Sequence, residues 1–303
     1  MGNFISYKDV PVFANFTTQA RDVGTSTSAH LFAASDASIS LSPNLTPNRY
    51  LGKAQVRNDF SVNGPLEAKI SFTFFPIIET LGDTAFSILN IQKVNQLAFF
   101  ATTGDFSLGH SIQIGNYFFY RSYLQNYSVK INAYQPVSVT ANFTAYDTVS
   151  VDNVSFDKFA GSFLPIAKDP TKPYYKALHA LTTTMETSSE YIPTTKTSVQ
   201  VNVDCQRTPV YNLGSRTPAS VILTAVERTT NIEGEGIGKA VTLSGANAGS
   251  TNIYFQTLDS TVTPSELSYV LKFDINGRIV SQDLSTSQNS IVNGKIVIKE
   301  IIL

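Results

Sequence analysis

Residues 137–145 read VSVTANFTA, and this stretch decides the class of the fold. Every second residue from Val137 to Ala145 is apolar, and the residues between them are Ser, Thr and Asn. Side chains of a β-strand point alternately to opposite faces, so the pattern predicts a strand with one buried and one solvated face. Such half-solvated strands are typical of antiparallel sheets.

The same alternation recurs along most of the chain. It is present at 39–41, 70–74, 112–114, 129–131, 199–203, 221–223, 241–243, 253–255 and 269–275, and it ends in the apolar run IVIKEIIL at 296–303. Turn signals separate these runs, among them Gly115-Asn116, Asn276-Gly277 and Asn293-Gly294. Asn-Gly is the strongest short signal for a β-hairpin. We therefore predict a mainly β protein.

Two stretches have the apolar spacing of a helix instead. In 83–100, apolar residues follow Asp83 at roughly helical intervals, and Asp is suited to an N-cap. In 173–186, Pro173 fits a first helical turn and precedes a stripe of apolar residues that ends at Met185. These patterns predict one or two short helices packed on a sheet.

The composition excludes several classes of protein. Charged residues make up 15% of the chain and hydrophobic residues 42%, which does not fit a disordered chain. The 22 Lys and Arg residues against 23 Asp and Glu leave no basic excess for tight binding of nucleic acid. There is no apolar run as long as a membrane-spanning helix, no signal-peptide pattern and only one cysteine, Cys205. We expect a soluble protein of a reducing compartment, with 32 Ser and 32 Thr supplying its polarity.

The chain shows signs of an internal repeat. The segment 37–53 aligns with 199–215 without a gap. Four positions are then identical: Thr46/Thr208, Pro47/Pro209, Leu51/Leu213 and Gly52/Gly214. About one identity is expected by chance in such a window. The closing stretches 126–147 and 283–303 also share a layout, a strand, a turn with Pro or Gly, and a longer alternating strand.

This repeat predicts the organisation of the chain. Between 152 and 197 the alternation fades and four prolines appear, which is typical of a connector. We predict an N-terminal arm at 1–36, a first β repeat at 37–151, a connector at 152–197 and a second β repeat at 198–303. The predicted fold class is mainly β, with two similar antiparallel β-sandwich or barrel units and one or two short helices.

Residue types that carry out catalysis do not converge anywhere in the sequence. His30, His110 and His179 are far apart, and none has a second ligand at metal-binding spacing. The carboxylate pairs Asp152/Asp157 and Asp59/Glu67 are no closer than chance allows among 23 acids. We predict no catalytic residue, no cofactor-binding residue, no metal ligand and no cofactor, and therefore not an enzyme.

Two further features favour a structural interpretation over a chemical one. Cys205 lies in a predicted strand with no second cysteine, so we expect a buried free thiol. Gly234, Gly236 and Gly238 precede Lys239, but the spacing is not that of a phosphate-binding loop. The residues after Lys239 alternate as a strand, and we therefore predict a β-hairpin tip there.

The order of these elements resembles the tail-tube and tube-related virion proteins of tailed bacteriophages. The resemblance rests on a strand followed by a Leu-Gly turn, at Leu51-Gly52 and Leu213-Gly214, and on the closing stretches of the two halves. It implies a tube-like β unit in each half, with 83–100 as the flanking helix. Subunits of this family form stacked rings, usually of six, through which DNA passes during ejection. A duplicated chain implies three subunits in a ring.

The resemblance also implies partners and a location. The chain would associate with itself in rings of three or six and with other tail proteins, such as sheath, tape measure, baseplate or terminator. Double-stranded DNA would be a transient, non-specific cargo, there would be no membrane insertion, and the virion tail would be assembled in the bacterial cytoplasm. The departures from a simple tube protein are the 1–36 arm and the 152–197 connector, and a baseplate hub or tube initiator would look similar.

Two other classes of protein remain as alternatives. The first is a receptor- or carbohydrate-binding β-sandwich of a fibre or baseplate, in which tyrosines stack on sugars. However, Tyr117, Tyr120, Tyr123, Tyr127 and Tyr134 lie in predicted strands, which favours a packing role for them. The second is a capsid decoration or head–tail connector protein.

Overall fold

The structure is a computed structural model built almost entirely of β-strands. It describes residues 12–15, 29–32, 34–41, 45–47, 60–62, 67–75, 77–81, 85–88, 109–115, 117–133, 135–147, 149–151, 175–177, 183–187, 189–236, 239–242, 245–249, 251–256, 269–286 and 292–302. Within these ranges there is no helix. The predicted mainly β class is confirmed.

The described residues contain twenty-one strands. The strands of the first half are β1 (Val12–Asn15), β2 (Ala29–Phe32), β3 (Ala34–Leu41), β4 (Leu45–Pro47), β5 (Phe60–Val62), β6 (Ala68–Phe74), β7 (Ile77–Leu81), β8 (Ala85–Ile88), β9 (His110–Ile114), β10 (Tyr117–Asn132), β11 (Ser138–Ala145) and β12 (Val149–Val151). The strands of the second half are β13 (Tyr175–Ala177), β14 (Thr183–Thr187), β15 (Thr195–Val210), β16 (Ser220–Glu235), β17 (Ala246–Asn247), β18 (Thr251–Gln256), β19 (Tyr269–Ile275), β20 (Arg278–Ser285) and β21 (Asn293–Ile301).

One antiparallel sheet contains most of these strands. Nine of them lie side by side in the order β17-β20-β21-β16-β15-β10-β11-β6-β3, and β1, β2, β9 and β12 extend the sheet beside β10. The pairing of β10 with β15 joins the two halves of the chain. In the described residues β17 and β3 do not pair with each other, so the sheet is open and has two edges. Three small sheets, β13-β7-β8, β14-β18-β19 and β4-β5, complete the fold.

Alternation places the core on one face of this sheet. The side chains of Ile70, Phe72 and Phe74 are buried, and the residues between them are not. The Phe72 and Phe143 rings, on neighbouring strands, stack with centroids 5.7 Å apart. Side chains of β1 and β9 join the same buried cluster. Burial of each large apolar side chain contributes about 1.5–3 kcal/mol, which makes this face the main source of stability.

Of the predicted turns, only Gly115-Asn116 is a described hairpin, and it joins the paired strands β9 and β10. Asn276-Gly277 was a wrong prediction because it joins β19 to β20, which do not pair with each other. Asn293-Gly294 begins β21 instead of preceding it. Gly277 is closely surrounded by neighbouring backbone, since a Cβ there would lie 2.4 Å from the Lys299 carbonyl oxygen. Close packing therefore explains the glycine at 277 better than turn formation.

The predicted helices are wrong wherever the structure describes them. Within 83–100 it has β8, and within 173–186 it has β13 and most of β14. In β8, Phe86 and Ile88 also fit a period of two, and the second stretch is rich in Thr. β-branched residues pack well in strands and lose side-chain freedom in helices, which explains the outcome. The remaining residues of both stretches lie outside the described ranges.

The order of strand pairing in the first half of the chain recurs in the second half. β3 pairs with β6, β6 with β11 and β11 with β10. In the same way β15 pairs with β16, β16 with β21 and β21 with β20. β3 thus corresponds to β15, and β10 corresponds to β20.

Two β-bulges of the first run coincide with two of the second. The register of β3 on β6 shifts at Ser35, and that of β15 on β16 shifts at Thr197. These two residues align when the match of 37–53 with 199–215 is extended towards the N-terminus. The register of β10 on β11 shifts at Gln125, and that of β20 on β21 shifts at Val280. A β-bulge inserts one extra residue into one strand and bends it, so the two runs bend at corresponding points.

The hairpins beyond these bulges also match. Thr46 pairs with Ser61 in the β4–β5 hairpin, and Pro47 pairs with Phe60. The aligned residues of the second half, Thr208 and Pro209, pair with Ile222 and Val221 in the β15–β16 hairpin. This is the segment in which the sequence comparison found Thr-Pro in both halves.

Candidate functional site

The solvated face of the sheet is the candidate functional surface. We call it the polar face, and it consists of the half-buried and exposed side chains on seven adjacent strands. They include Asp36, Ser38, Ser40, Lys69, Ser71, Thr73, Ser138, Thr140, Asn142, Asn126, Ser128, Lys130, Ser198, Gln200, Asn202, Asp204, Glu227, Thr229, Asn231, Glu233, Glu235, Asn293, Lys295, Val297 and Lys299.

Hydroxyl and amide side chains dominate the polar face, and they lie in rows across the strands. One row crosses all seven strands, since each of its members is the register partner of the next. It consists of Asp36, Thr73, Thr140, Ser128, Asn202, Thr229 and Lys299. Rows form because residues directly opposite each other in antiparallel strands have close side chains.

Many of these side chains bind one another. The Thr73 and Thr140 hydroxyl oxygens are 2.9 Å apart. Asn142 Nδ2 donates to Asn126 Oδ1 at 2.6 Å. Gln200 Nε2 lies 3.1 Å from Ser128 Oγ and also donates to Asn202 Oδ1.

These hydrogen bonds change what the polar face offers to another molecule. A donor or acceptor that is already bound to a neighbouring side chain is less available to a ligand. The result is a polar surface with few strong binding groups.

The charges of the polar face nearly balance. Its acids are Asp36, Asp204, Glu227, Glu233 and Glu235, and its bases are Lys69, Lys130, Lys295 and Lys299. Lys295 Nζ lies 2.9 Å from Glu233 Oε1, and this carboxylate raises the pKa of Lys295. Asp204 has a raised pKa because of partial burial and then because Glu227 lies nearby. Such a face presents no strong field of either sign.

The sheet that carries the polar face ends at two open strand edges. On one side β3 pairs only with β6. On the other side, beyond β21, β17 pairs with β20 only at Arg278 and Ile279. The Gln282 side chain binds the Val241 amide and the Lys239 carbonyl, and Val280 and Leu284 are about half exposed. The β3 edge has neither Lys nor Pro, the residues that commonly protect an edge from pairing with another chain.

A hairpin arm, defined here as residues 206–225, extends beyond the strands that flank it. Neither β10 nor β21 pairs with the arm. Its outer surface exposes Val210, Leu213 and Ile222, and Leu213 is fully exposed at the tip. Its other side is packed, because the buried Val221 contacts the buried Tyr123 and Tyr146.

Two arginines hold this arm to the sheet. Arg121 Nη2 donates to the Pro218 carbonyl at 2.7 Å. Arg207 Nε donates to the Leu124 carbonyl at 2.9 Å, and its guanidinium carbon lies 5.5 Å from the centre of the Tyr123 ring. Burial lowers the pKa of Arg207. The arm is thus fixed by contacts that combine charge and aromatic packing.

The residues that the sequence singled out for possible chemistry do not come together. His110 is half-buried in β9, His30 lies in β2, and His179 is outside the described ranges. Glu67 is exposed, with Tyr211 Oη 3.5 Å from its carboxylate, whereas Asp59, Asp152 and Asp157 lie outside the described ranges. In the part of the chain that the structure describes, no three His, Cys, Asp or Glu side chains are placed to hold a metal ion.

Cys205 is a buried thiol, as predicted. It is 3% exposed within β15, and burial raises its pKa to about 11. A thiol with a raised pKa is protonated at neutral pH and is a poor nucleophile.

The prediction of a hairpin tip at 234–239 was wrong for its first residues. Gly234 lies within β16 and pairs with both Lys196 and Gly294. Lys239 Nζ binds Glu190 at 2.6 Å. The glycine at 234 fits a crowded sheet position, because a Cβ there would lie 1.9 Å from the Thr195 carbonyl oxygen.

The tyrosines considered for sugar stacking are mostly unavailable. Tyr123 and Tyr127 are buried, Tyr120 is half-buried and Tyr117 is 40% exposed. Tyr134 lies outside the described ranges. Burial also raises the pKa of Tyr127.

Sequence reasoning missed a buried ion pair. Arg228, 3% exposed on the apolar side of β16, donates through Nε to Glu300 Oε2 at 3.0 Å and also through Nη2. Burial alternates along β16, and Arg228 occupies one of the buried positions. This alternation was the only sign in the sequence that the arginine is buried. Its partner lies 72 residues away in the chain, so no local pattern could identify it.

Comparisons with known proteins add no relatives. No model of a protein family matches the chain, and no curated protein matches it significantly. No helix among the described residues is long and apolar enough to cross a membrane.

Proposed function

We propose that this chain is a structural virion protein whose copies form the stacked rings of a phage tail tube. In this proposal the polar face lines the channel, and DNA moves along it during ejection. The observation that carries the proposal is a nearly charge-balanced, hydroxyl- and amide-covered face that is seven strands wide and belongs to a sheet with two open edges.

The chemistry of the polar face suits a passing polyanion. Tight non-specific binding of DNA comes from cations that neutralise phosphates and release counterions. The polar face has four lysines and five carboxylates, so it has no excess of cations and this contribution is small. Hydrogen bonds among the side chains leave few free donors for phosphate oxygens.

The open edges suit self-assembly. An unpaired strand edge presents backbone donors and acceptors to another chain, and closure of a sheet into a ring satisfies them. Leu284 and Leu41, near the two edges, are each about half exposed and would lose that exposure on pairing. Copies joined edge to edge would continue the polar face from one chain to the next.

The recurrence of strand pairing supports the finer part of the proposal. Two similar tube-like units, at 37–151 and 198–303, would each contribute one run of four strands. Three chains would then supply the six units that the resemblance implies for a ring.

Assembly can be tested by sedimentation velocity and negative-stain microscopy of the purified chain at high concentration. We expect rings or tubes with a central channel. The variant Ser38→Lys with Ser40→Lys places two charges on the β3 edge and should leave the protein monomeric. Ala133→Lys with Gln135→Lys, at exposed positions between β10 and β11 and away from both edges, adds the same two charges, is the matched control and should assemble. A wild-type chain that stays monomeric under all these conditions would refute the proposal.

The position of the polar face can be tested by labelling. We expect Lys130→Cys in assembled tubes to react with a small maleimide but not with a large PEG-maleimide that cannot enter the channel. The same variant kept unassembled should react with both. Equal reaction of assembled tubes with the large reagent would place the polar face outside the channel.

A further inference from the structure

The pairing of β10 with β15 joins the two halves of the chain. The corresponding strands β20 and β3, at the two edges of the sheet, have no such partner among the described residues. β15 covers β10 from Asn126 to Asn132. The bulges at Gln125 and Val280 align β10 with β20, so that Asn126 corresponds to Ser281. The residues of β20 that correspond to the covered part of β10 therefore begin at Ser281, which is where its pairing with β17 has ended. Among them, Gln282 binds residues 239 and 241 through its side chain, and no described strand pairs with this part of β20 on the side away from β21.

The other side of this contact is open as well. The bulges at Thr197 and Ser35 align β15 with β3, so that Val203 corresponds to Leu41. β15 has β10 beside it, whereas β3 has no strand on that side among the described residues. The β20 edge therefore corresponds to β10 without β15 beside it, and the β3 edge corresponds to β15 without β10 beside it.

Burial of corresponding residues differs in the way this predicts. Val129, inside the β10–β15 contact, is completely buried, and its counterpart Leu284 is 48% exposed. Val203 is completely buried on the β15 side, and its counterpart Leu41 is 50% exposed. The exposed leucines lie where a neighbouring strand covers the equivalent residues.

From these relationships we infer that β20 of one copy pairs antiparallel with β3 of a second copy, in the register of the β10–β15 contact. This inference rests on the self-assembly in the proposed function and specifies its interface. Ser128 opposes Asn202 inside the chain, so Asp283 would oppose Ser40 of the next copy. Likewise Lys130 opposes Gln200, so Ser285 would oppose Ser38.

The chemistry of this pairing is favourable. On the polar side, a carboxylate and hydroxyl groups would meet without facing like charges. On the apolar side, Leu284 would oppose Ile39, as Val129 opposes Val201 inside the chain. The contact joins two different edges, so it is heterologous and can continue from copy to copy until a ring closes.

Cysteine cross-linking of the full-length chain tests both the choice of edges and the register. The in-register variants are Ser40→Cys with Asp283→Cys, and Ser38→Cys with Ser285→Cys. The matched out-of-register variants exchange the partners: Ser38→Cys with Asp283→Cys, and Ser40→Cys with Ser285→Cys. All four positions are exposed, so the substitutions should preserve the fold, and Cys205 is buried.

Directly opposed residues lie within disulfide distance, whereas positions two residues out of register are about 7–8 Å apart. Under mild oxidation we expect ladders of linked chains from both in-register variants and at least several-fold less from the exchanged variants. Each single variant should give no dimer. Equal linking of the exchanged variants, or dimers from Ser40→Cys or Asp283→Cys alone, would overturn the inferred interface.

Microscopy of the same samples separates this inference from the proposed function. Channel-forming rings without in-register cross-links would refute the interface and leave the proposed function standing. Cross-linked open chains without a channel would support the interface and refute the tube.

Discussion

Ser35 and Thr197 make the same hydrogen bond at corresponding bulges of the sheet. Ser35 Oγ donates to the Thr73 carbonyl at 3.3 Å, and Thr197 Oγ1 donates to the Glu233 carbonyl at 3.2 Å. In both cases the hydroxyl belongs to the extra residue of a bulge and binds the facing strand. A side chain that bonds across a bulge replaces part of the backbone ladder that the bulge interrupts.

This correspondence predicts matched effects of substitution. Ser35→Ala and Thr197→Ala should each lower the free energy of unfolding by about 0.5–1.5 kcal/mol, the usual net contribution of one hydrogen bond. Urea denaturation measures both. A clear loss of stability in one variant and none in the other would contradict equivalent roles for the two hydroxyls.

At position 121 we expect glycine to be more stabilising than alanine, the reverse of the usual order in a strand. Its φ of 49° lies in the left-handed region, which costs a non-glycine residue about 1 kcal/mol. Arg121→Ala and Arg121→Gly both lose the bond to Pro218, but only Gly relieves this strain. We expect Arg121→Gly to be the more stable variant by about 1 kcal/mol in thermal or urea denaturation.

Lys130 supplies the control for this comparison. It is an exposed residue of the same strand with ordinary backbone geometry. There Lys130→Gly should be less stable than Lys130→Ala, since Gly loses more conformational freedom on folding. If Ala is the more stable residue at both positions, the left-handed backbone of Arg121 is not a source of strain.

We expect a large loss of stability when one partner of the Arg228–Glu300 pair is replaced. Glu300→Gln leaves a buried guanidinium without its counter-charge and should lower the free energy of unfolding by about 3–5 kcal/mol. The double variant Arg228→Met with Glu300→Gln should recover most of that loss, because it removes both charges. Urea denaturation of the four proteins in this cycle measures the coupling.

An exposed ion pair serves as the comparison. Glu233→Gln breaks the pair with Lys295, in which both side chains are about half exposed. Its effect should be much smaller, since solvent screens exposed charges. An equal cost for the two single substitutions would show that burial does not determine the contribution of Arg228.

Cys205 predicts a loss of stability at alkaline pH. Its pKa rises from 9.0 to about 11 on folding, so the folded state holds the thiol proton more tightly than the unfolded state. The resulting stabilisation is complete below pH 9 and is lost as the pH rises from 9 to 11. A shift of this size corresponds to roughly 2–3 kcal/mol.

Comparison with Cys205→Ala isolates this effect. The variant should show a shallower decline in stability between pH 9 and pH 11 than the natural chain. Thiol reagents should also label native Cys205 only on unfolding at neutral pH. Rapid labelling of the folded protein would contradict its burial.

The sequence indicated the local pattern of the sheet but not its long-range partners. Alternation around Phe72 and Phe143 identified buried strand faces, because it reflects the geometry of a single strand. The alignment of 37–53 with 199–215 also matched β3 with β15, which have corresponding places in the pairing order. Short apolar stretches such as 83–100 were misread, since a strand of a few residues fits either period.

Other features depend on contacts that no local pattern contains. Arg228 meets Glu300 only because β16 pairs with β21, and the arm beyond Cys205 is evident only once the ends of β10 and β21 are known. The polar face was implicit in the Thr, Asn and Ser residues between apolar positions. Their hydrogen bonds across strands required the register.

The β10–β15 contact has a thermodynamic consequence for any association of copies through the sheet edges. Its two strands belong to one chain, so they meet at an effective concentration set by the connecting segment and not by the amount of protein in solution. A contact between β20 and β3 of separate copies has no such advantage. Dilution should therefore divide an assembly only at every second junction, and the smallest piece released would be one intact chain with its two runs of strands still joined.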